Sequence, residues 1–385
     1  MTTLAMGIVP EERADGYGRA RLCVGISCVG TMVVASSAAL WVGLPEGWYG
    51  NLTPGGLVSR LAVWLGVYAL LQLPFDWLGG YVLPRRYGRP TSGVVAFAFG
   101  WLRGVVVQGA LLFGLAGLMT IAGHFGEAWL TVGVAAAAML GQLALRTTLA
   151  RAVAPLALRR AELADGALLA RREARSGDES FTGGIEGVAW PSGSLAAAHW
   201  REVLSDDELA CATRRREAAV ASGLWRRGRV AAVSFVLVGV ALAAWLTGNA
   251  SLGTAGGTVE LSLWFTLWSF GGLLVLPTFS RRAVRAIDER LAAEGVDRAV
   301  IDATTSKLNA MQDGQVDRSA GVEAIFHPIP SVSRRGGEGG RSAGLAAWDL
   351  ARTAVYLGHA GLGLLGRAVH CNSGKPALWV YLPTD

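Results

Sequence analysis

The sequence predicts an all-α polytopic membrane protein of about six transmembrane helices, carrying a small cytoplasmic α+β portion. Three observations predict it. Of 385 residues, 52% are apolar and only 17% are charged, a balance typical of membrane proteins when the apolar residues come in long blocks. Here they fall into six blocks of span length. The segments between those blocks alternate between arginine-rich and nearly arginine-free, which is how chains are oriented across bilayers.

Residues 1–21 are a polar leader with Arg13, Arg19 and Arg21. Span one, 22–43, follows it as a retained anchor rather than a cleaved signal, because further spans come after. The loop at 44–58 is rich in Gly and Pro and holds Trp48 and Tyr49, aromatics suited to an interface. Span two covers 61–83, and a basic loop from Arg85 to Pro90 ends it. Residues 91–103 are expected along the interface, then span three at 104–121 and span four at 128–145. Five units result: the leader, a four-span region (22–147), a cytoplasmic segment (148–227), a transmembrane hairpin (228–279) and a cytoplasmic C-terminal region (280–385).

The segment at 148–227 is broken by Gly183-Gly184, Pro191 and Gly193 around strand-like pieces such as 187–190. It closes on a helix from Leu204 to Val220. Ser205 and Glu208 form a capping-box pattern at its start, and Arg214, Arg215, Arg216 and Glu217 lie in its middle. Spans five (230–246) and six (261–276) flank a loop without Lys or Arg. Residues 280–326 are polar and helical in pattern, 333–343 form a Gly-Arg-Ser linker, and 345–367 form a packed or interfacial helix. The tail after Lys375 is expected as a strand or extended arm. Both termini fall on the cytoplasmic side. The arginine bias, against only Lys307 and Lys375, fits a GC-rich bacterial genome and the bacterial cytoplasmic membrane. No base-reading or stacking motif accompanies it, so nucleic acid is excluded as a partner and membrane lipid is expected. Cys23, Cys28, Cys211 and Cys371 form no CxxC pair and are expected as buried thiols.

Several short motifs, in order, resemble the integral-membrane zinc metallopeptidases of the CAAX prenyl endopeptidase kind. Leu73-Pro74-Phe75-Asp76, Val82-Leu83 and Arg86-Tyr87-Gly88 resemble that family's second span and the following loop. Leu204-Ser205 with Glu208-Leu209 resembles the lead-in to its metal helix, Ser280-Arg281-Arg282 with Ile287-Asp288 the helix bearing its third ligand, and His327-Pro328 its late His-Pro motif. The family chemistry requires His-Glu-x-x-His, two imidazoles one turn apart with a glutamate as general base, and a further carboxylate. In that register Arg215 and Arg216 stand for the first histidine and the glutamate, and Ala219 for the second histidine. Shifting by one places Glu217 as base but Arg216 and Val220 as ligands. Val284 stands where the third ligand belongs, with Asp288 four residues on. Arg334 matches the arginine after His-Pro one residue late.

Guanidinium stays protonated and offers no lone pair. No zinc and no catalytic residue is therefore expected. An Arg215 or Arg216 pair with Asp288 or Glu217 would fill the vacated space, the alternative being a solvated charged face. Asp76 and Arg103 are expected either to pair within the bundle or to leave Arg103 at the headgroups. A site built from His327, His370 and Cys371 is a further alternative. The resemblance implies a catalytically inactive homologue that binds a peptide, a lipidated tail or a membrane partner, including an active paralogue. An active endopeptidase with non-standard ligands, or a transporter or sensor sharing the arrangement, are the competing readings.

Overall fold

A computed structural model of the chain describes residues 11–50, 53–126, 128–160, 169–312, 318–335 and 345–384. Among the described residues, five helices are long and apolar enough to cross a membrane: α1 (Glu11–Trp41), α2 (Pro54–Trp77, continuing helically to Arg86), α3 (Val94–Phe125), and two later ones. Between them α4 (Ala128–Ala144) is bent by 78° against α5 (Arg146–Val153), and the count is six when this pair is taken as one broken span. The spans exceed their apolar cores at both ends. In particular 94–103, expected along the interface, belongs to the unbroken α3, because nothing between Val94 and Arg103 interrupts i to i+4 bonding. At Pro74 the chain stays helical, and a wider π-turn at Leu78–Val82 takes up the mismatch.

Next comes a four-stranded sheet, β1 (Ala157–Arg160), β2 (Arg171–Arg175), β3 (Gly183–Glu186) and β4 (Gly193–Ala197), in the order β1-β2-β4-β3. The β2–β4 pair is parallel and the other two are antiparallel. Residues 187–190, expected as a strand piece, are instead the connection between β3 and β4; Gly187 has φ +120°, a backbone that turns rather than extends. Helix α6 (Asp206–Ala221) starts with the full capping box, Ser205 accepting from the Glu208 amide and Glu208 from that of Ser205. Then come α7 (Leu224–Thr247) and α8 (Ala255–Ala293), the last two spanning helices, with α8 running on past the apolar zone. Helix α9 (Arg298–Gln312) packs against α6, and α10 (Ala320–Phe326) packs beside that extension of α8.

The C-terminal segment is where the fold departs most from the sequence reading. Its helix α11 (Leu350–Leu357) and short 3-10 turns lie inside the bundle, and 346–384 are buried or half-buried throughout. The tail after Lys375 is a 3-10 turn at Pro376–Leu378, not a strand; Pro376 lacks the amide a ladder would require. The segment enters where Trp348 N donates to Leu224 O at the start of α7. It reaches mid-span where Ser262 Oγ donates to Leu362 O and Thr266 Oγ1 accepts from Leu364 N. It leaves again at Lys375, which meets Asp178 and Ser180 beside the sheet. The interior of the bundle is thus occupied by the chain's own C-terminus. Walls and segment are closely fitted: a Cβ on Gly80 of the π-turn would stand 2.1 Å from Gly374 O, and one on Gly228 would stand 2.0 Å from Trp348 O.

Candidate functional site

The residues that the resemblance sets against the metal-binding pattern face three ways. Arg215 and Arg216 are adjacent on α6, so they project about 100° apart. Arg215 points at α8 and donates from Nη1 to Asp288 Oδ1. Arg216 points at the sheet. Its Nη1 donates to Ser194 Oγ (3.0 Å) and Leu195 O (2.7 Å), its Nη2 to Thr182 O (2.8 Å), and it stacks on Trp200. Glu217 is half-buried, while Ala219 and Val284 sit in the apolar cluster with Cys211, Trp225 and Ile287.

Asp288 carries a second guanidinium. Arg335 Nη1 lies 3.1 Å from its Oδ2. All three side chains are at most 2% exposed. Arg335 follows the 3-10 turn Val332–Arg334, and it, rather than Arg334, closes on the carboxylate. Nothing in the local pattern distinguishes the two arginines; only the turn's geometry selects one. Two guanidiniums therefore occupy both oxygens of a fully buried carboxylate, a charge-assisted arrangement that docks α6, α8 and the segment after α10 together.

This donor set does not fit a zinc ion. Zinc needs lone pairs from imidazole, thiolate or carboxylate. The groups present are three obligate cations (Arg215, Arg216 and Arg335), two hydrocarbon side chains, the half-buried Glu217, and Asp288, whose carboxylate already accepts from Arg215 and Arg335. Among the described residues, no three His, Cys, Asp or Glu side chains converge as a metal group would.

His327 is placed otherwise. Its carbonyl accepts from Arg281 Nη1 (2.8 Å), which also holds Glu323 O (2.8 Å), so α10 is tied to α8. Its ring lies 4.9 Å from that of His370, so two members of the His327, His370 and Cys371 set are brought together.

Asp76 and Arg103 do not pair. Asp76 is fully buried and its partner is Arg367 of the C-terminal segment, 291 residues away. Trp101 Nε1 (2.9 Å), the Gly374 amide (2.7 Å) and Gln72 Nε2 (3.4 Å) also donate to it. Arg367 also reaches Gln108 Oε1 and stacks 4.2 Å over Trp379. Arg103 instead donates to the carbonyls of Arg151 (2.6 Å) and Ala152 (2.9 Å), satisfying C-terminal carbonyls of the bent helix α5. The apolar appearance of 345–367 concealed Arg367 as a partner; the one available signal was an arginine adjoining an otherwise apolar run.

At the segment's exit, burial raises the pKa of Asp178, but the Lys375 ammonium, the Ser180 amide and Arg21 outweigh it and hold the carboxyl below its ordinary value.

No protein-family model and no curated protein matches this chain by sequence. Among solved structures, the crystal structure of S. mikatae Ste24p aligns with it at a TM-score of 0.64, covering 84% of this chain and 87% of that one at 11% identity. The chain has a Ste24p-like polytopic membrane fold. The family resemblance carried by the short motifs is matched at the level of the fold.

Proposed function

We propose that this chain is a catalytically inactive homologue of the membrane zinc metallopeptidases, which holds a peptide, a lipidated tail or another membrane protein without cutting it. The Ste24p-like fold, that of a CAAX prenyl protease, supports the kinship. The observation that carries the loss of activity is the pair of arginines on Asp288. They place permanent cations where a divalent ion would need lone pairs, and in a buried site like charges repel strongly.

The C-terminal segment adds a second support. A protease of this architecture needs interior space for its substrate, and here 346–384 fill the centre of the bundle. A partner would then be engaged on the outer or arginine-rich faces, and an active paralogue in the same membrane is one such partner. The membrane we infer is the bacterial cytoplasmic membrane, with both termini on its cytoplasmic side.

Elemental analysis of the detergent-purified protein, with a peptide-cleavage assay on the same sample, tests the proposal. Substoichiometric zinc and no cleavage are expected. Stoichiometric zinc lost together with activity on chelation would overturn it.

A further inference from the structure

An apolar slot of about 280 Å³ opens sideways between α1 and α8. Leu22, Ile26 and Val29 form one wall and Leu273 and Leu274 the other, with Val355 of the C-terminal segment at the back. Both flanking helices are spanning helices, so the slot faces bilayer hydrocarbon, where an apolar void lacks dispersion partners until something apolar fills it. Gly30 lines it too, and a Cβ there would meet nothing within 4 Å.

One end of the slot is different. Arg352, on the first turn of α11, lines it together with His370. Arg352 is 9% exposed, and among the described residues it makes no hydrogen bond or ion pair. The neighbouring carboxylate, Asp349, accepts from Thr353 Oγ1 (3.3 Å) and lies in the fields of Arg146 and Arg229 as well as Arg352. Arg21 donates to His370 O at the same end. Among the described residues the slot's lining includes the Arg352 guanidinium and no carboxylate. That mouth lies at the arginine-rich ends of α1 and α8, where Ala351 N donates to Ser280 Oγ.

We propose that this slot binds one anionic glycerophospholipid of the leaflet on the arginine-rich side, an acyl chain lying between α1 and α8 and the headgroup phosphate meeting Arg352. An apolar groove in the hydrocarbon with a buried cation at its interfacial end matches the division of such a lipid, and basic pockets between spanning helices are suited to anionic headgroups. A buried arginine at that depth is stable only with a partner, and the phosphate supplies it with charge-assisted bonds. This inference does not depend on whether the chain cleaves peptides.

The test uses the full chain in phosphatidylcholine nanodiscs doped with phosphatidylglycerol of the same acyl chains, reading lipid co-purified per protein by mass spectrometry. Phosphatidylglycerol should be retained preferentially. Arg352→Gln should lower that preference about fivefold, and Arg352→Lys should keep it. Gly30→Leu should reduce retention of both lipids, and Arg227→Gln, an exposed arginine outside the slot, should change nothing. Unchanged preference in Arg352→Gln, or displacement of the lipid by inorganic phosphate alone, would overturn the assignment.

Discussion

Arg215 of α6 donates to Asp288 of α8 across 73 residues of chain, and neither side chain is more than 2% exposed. Removing one member of such a buried group leaves the others charged and without their partner, which costs far more than the pair contributes net. Asp288→Asn, leaving Arg215 and Arg335 facing a neutral amide, should destabilise the protein by about 3–5 kcal/mol. The triple replacement Arg215→Met, Asp288→Leu and Arg335→Met, which leaves no charge of the group behind, should be less damaging than Asp288→Asn alone. Thermal unfolding in detergent, followed by tryptophan fluorescence, measures both.

The second buried pair, Asp76 with Arg367, fastens the C-terminal segment inside the bundle. Arg367→Met should loosen that segment without removing its apolar packing. Cys371, 8% exposed beside it, is the reporter. In a background with the exposed Cys23 changed to Ser, maleimide labelling of Cys371 should accelerate about tenfold or more, since 1.4 kcal/mol corresponds to a factor of ten. Labelling as slow as in the parent would show that the ion pair does not hold the segment.

Gly80 approaches the segment too closely for a side chain, its Cβ position lying 2.1 Å from Gly374 O. Gly80→Ala should cost about 1–3 kcal/mol through forced backbone displacement. Gly66→Ala on the same α2 helix, where a Cβ meets nothing within 4 Å, should instead be neutral or stabilising by about 0.5–1 kcal/mol. Comparing the two midpoints separates close approach from helix propensity.

Asp178 at the exit has its pKa held down in the folded protein, against burial, chiefly by Lys375. A depressed carboxylate contributes stability that is fully present above its unfolded pKa of about 3.9 and is lost as pH falls through the lower folded value. Acidification below pH ~4 should therefore weaken the Lys375 anchor, and Asp178→Asn should remove that part of the pH dependence while lowering stability at neutral pH. Midpoints measured from neutral to acid pH for both proteins provide the check; parallel curves would exclude the anchor.

Much of the architecture was legible because it is written locally. A span needs only a run of apolar residues, and the capping box at Ser205 and Glu208 needs only three-residue spacing. The resemblance to the membrane metallopeptidases was legible for the same reason, since short motifs could be compared position by position, and it is matched at the level of the fold. The strands were misplaced because 148–227 is punctuated by glycines and prolines without clear alternation, and pairing depends on partners outside each strand. The course of residues 346–384 was missed because a segment surrounded by protein inside a membrane has nearly the composition of one lying at the interface.

By itself the sequence determined the polytopic helical architecture and the apolar runs that make its spans, which are properties of single residues or short windows. The tertiary structure alone decided that Asp76 meets Arg367 rather than Arg103, and that Arg335 rather than Arg334 shares Asp288 with Arg215. A buried carboxylate takes whichever cation the packed backbone brings within hydrogen-bonding reach, and separations of 291 and 47 residues leave no periodicity from which that choice can be read.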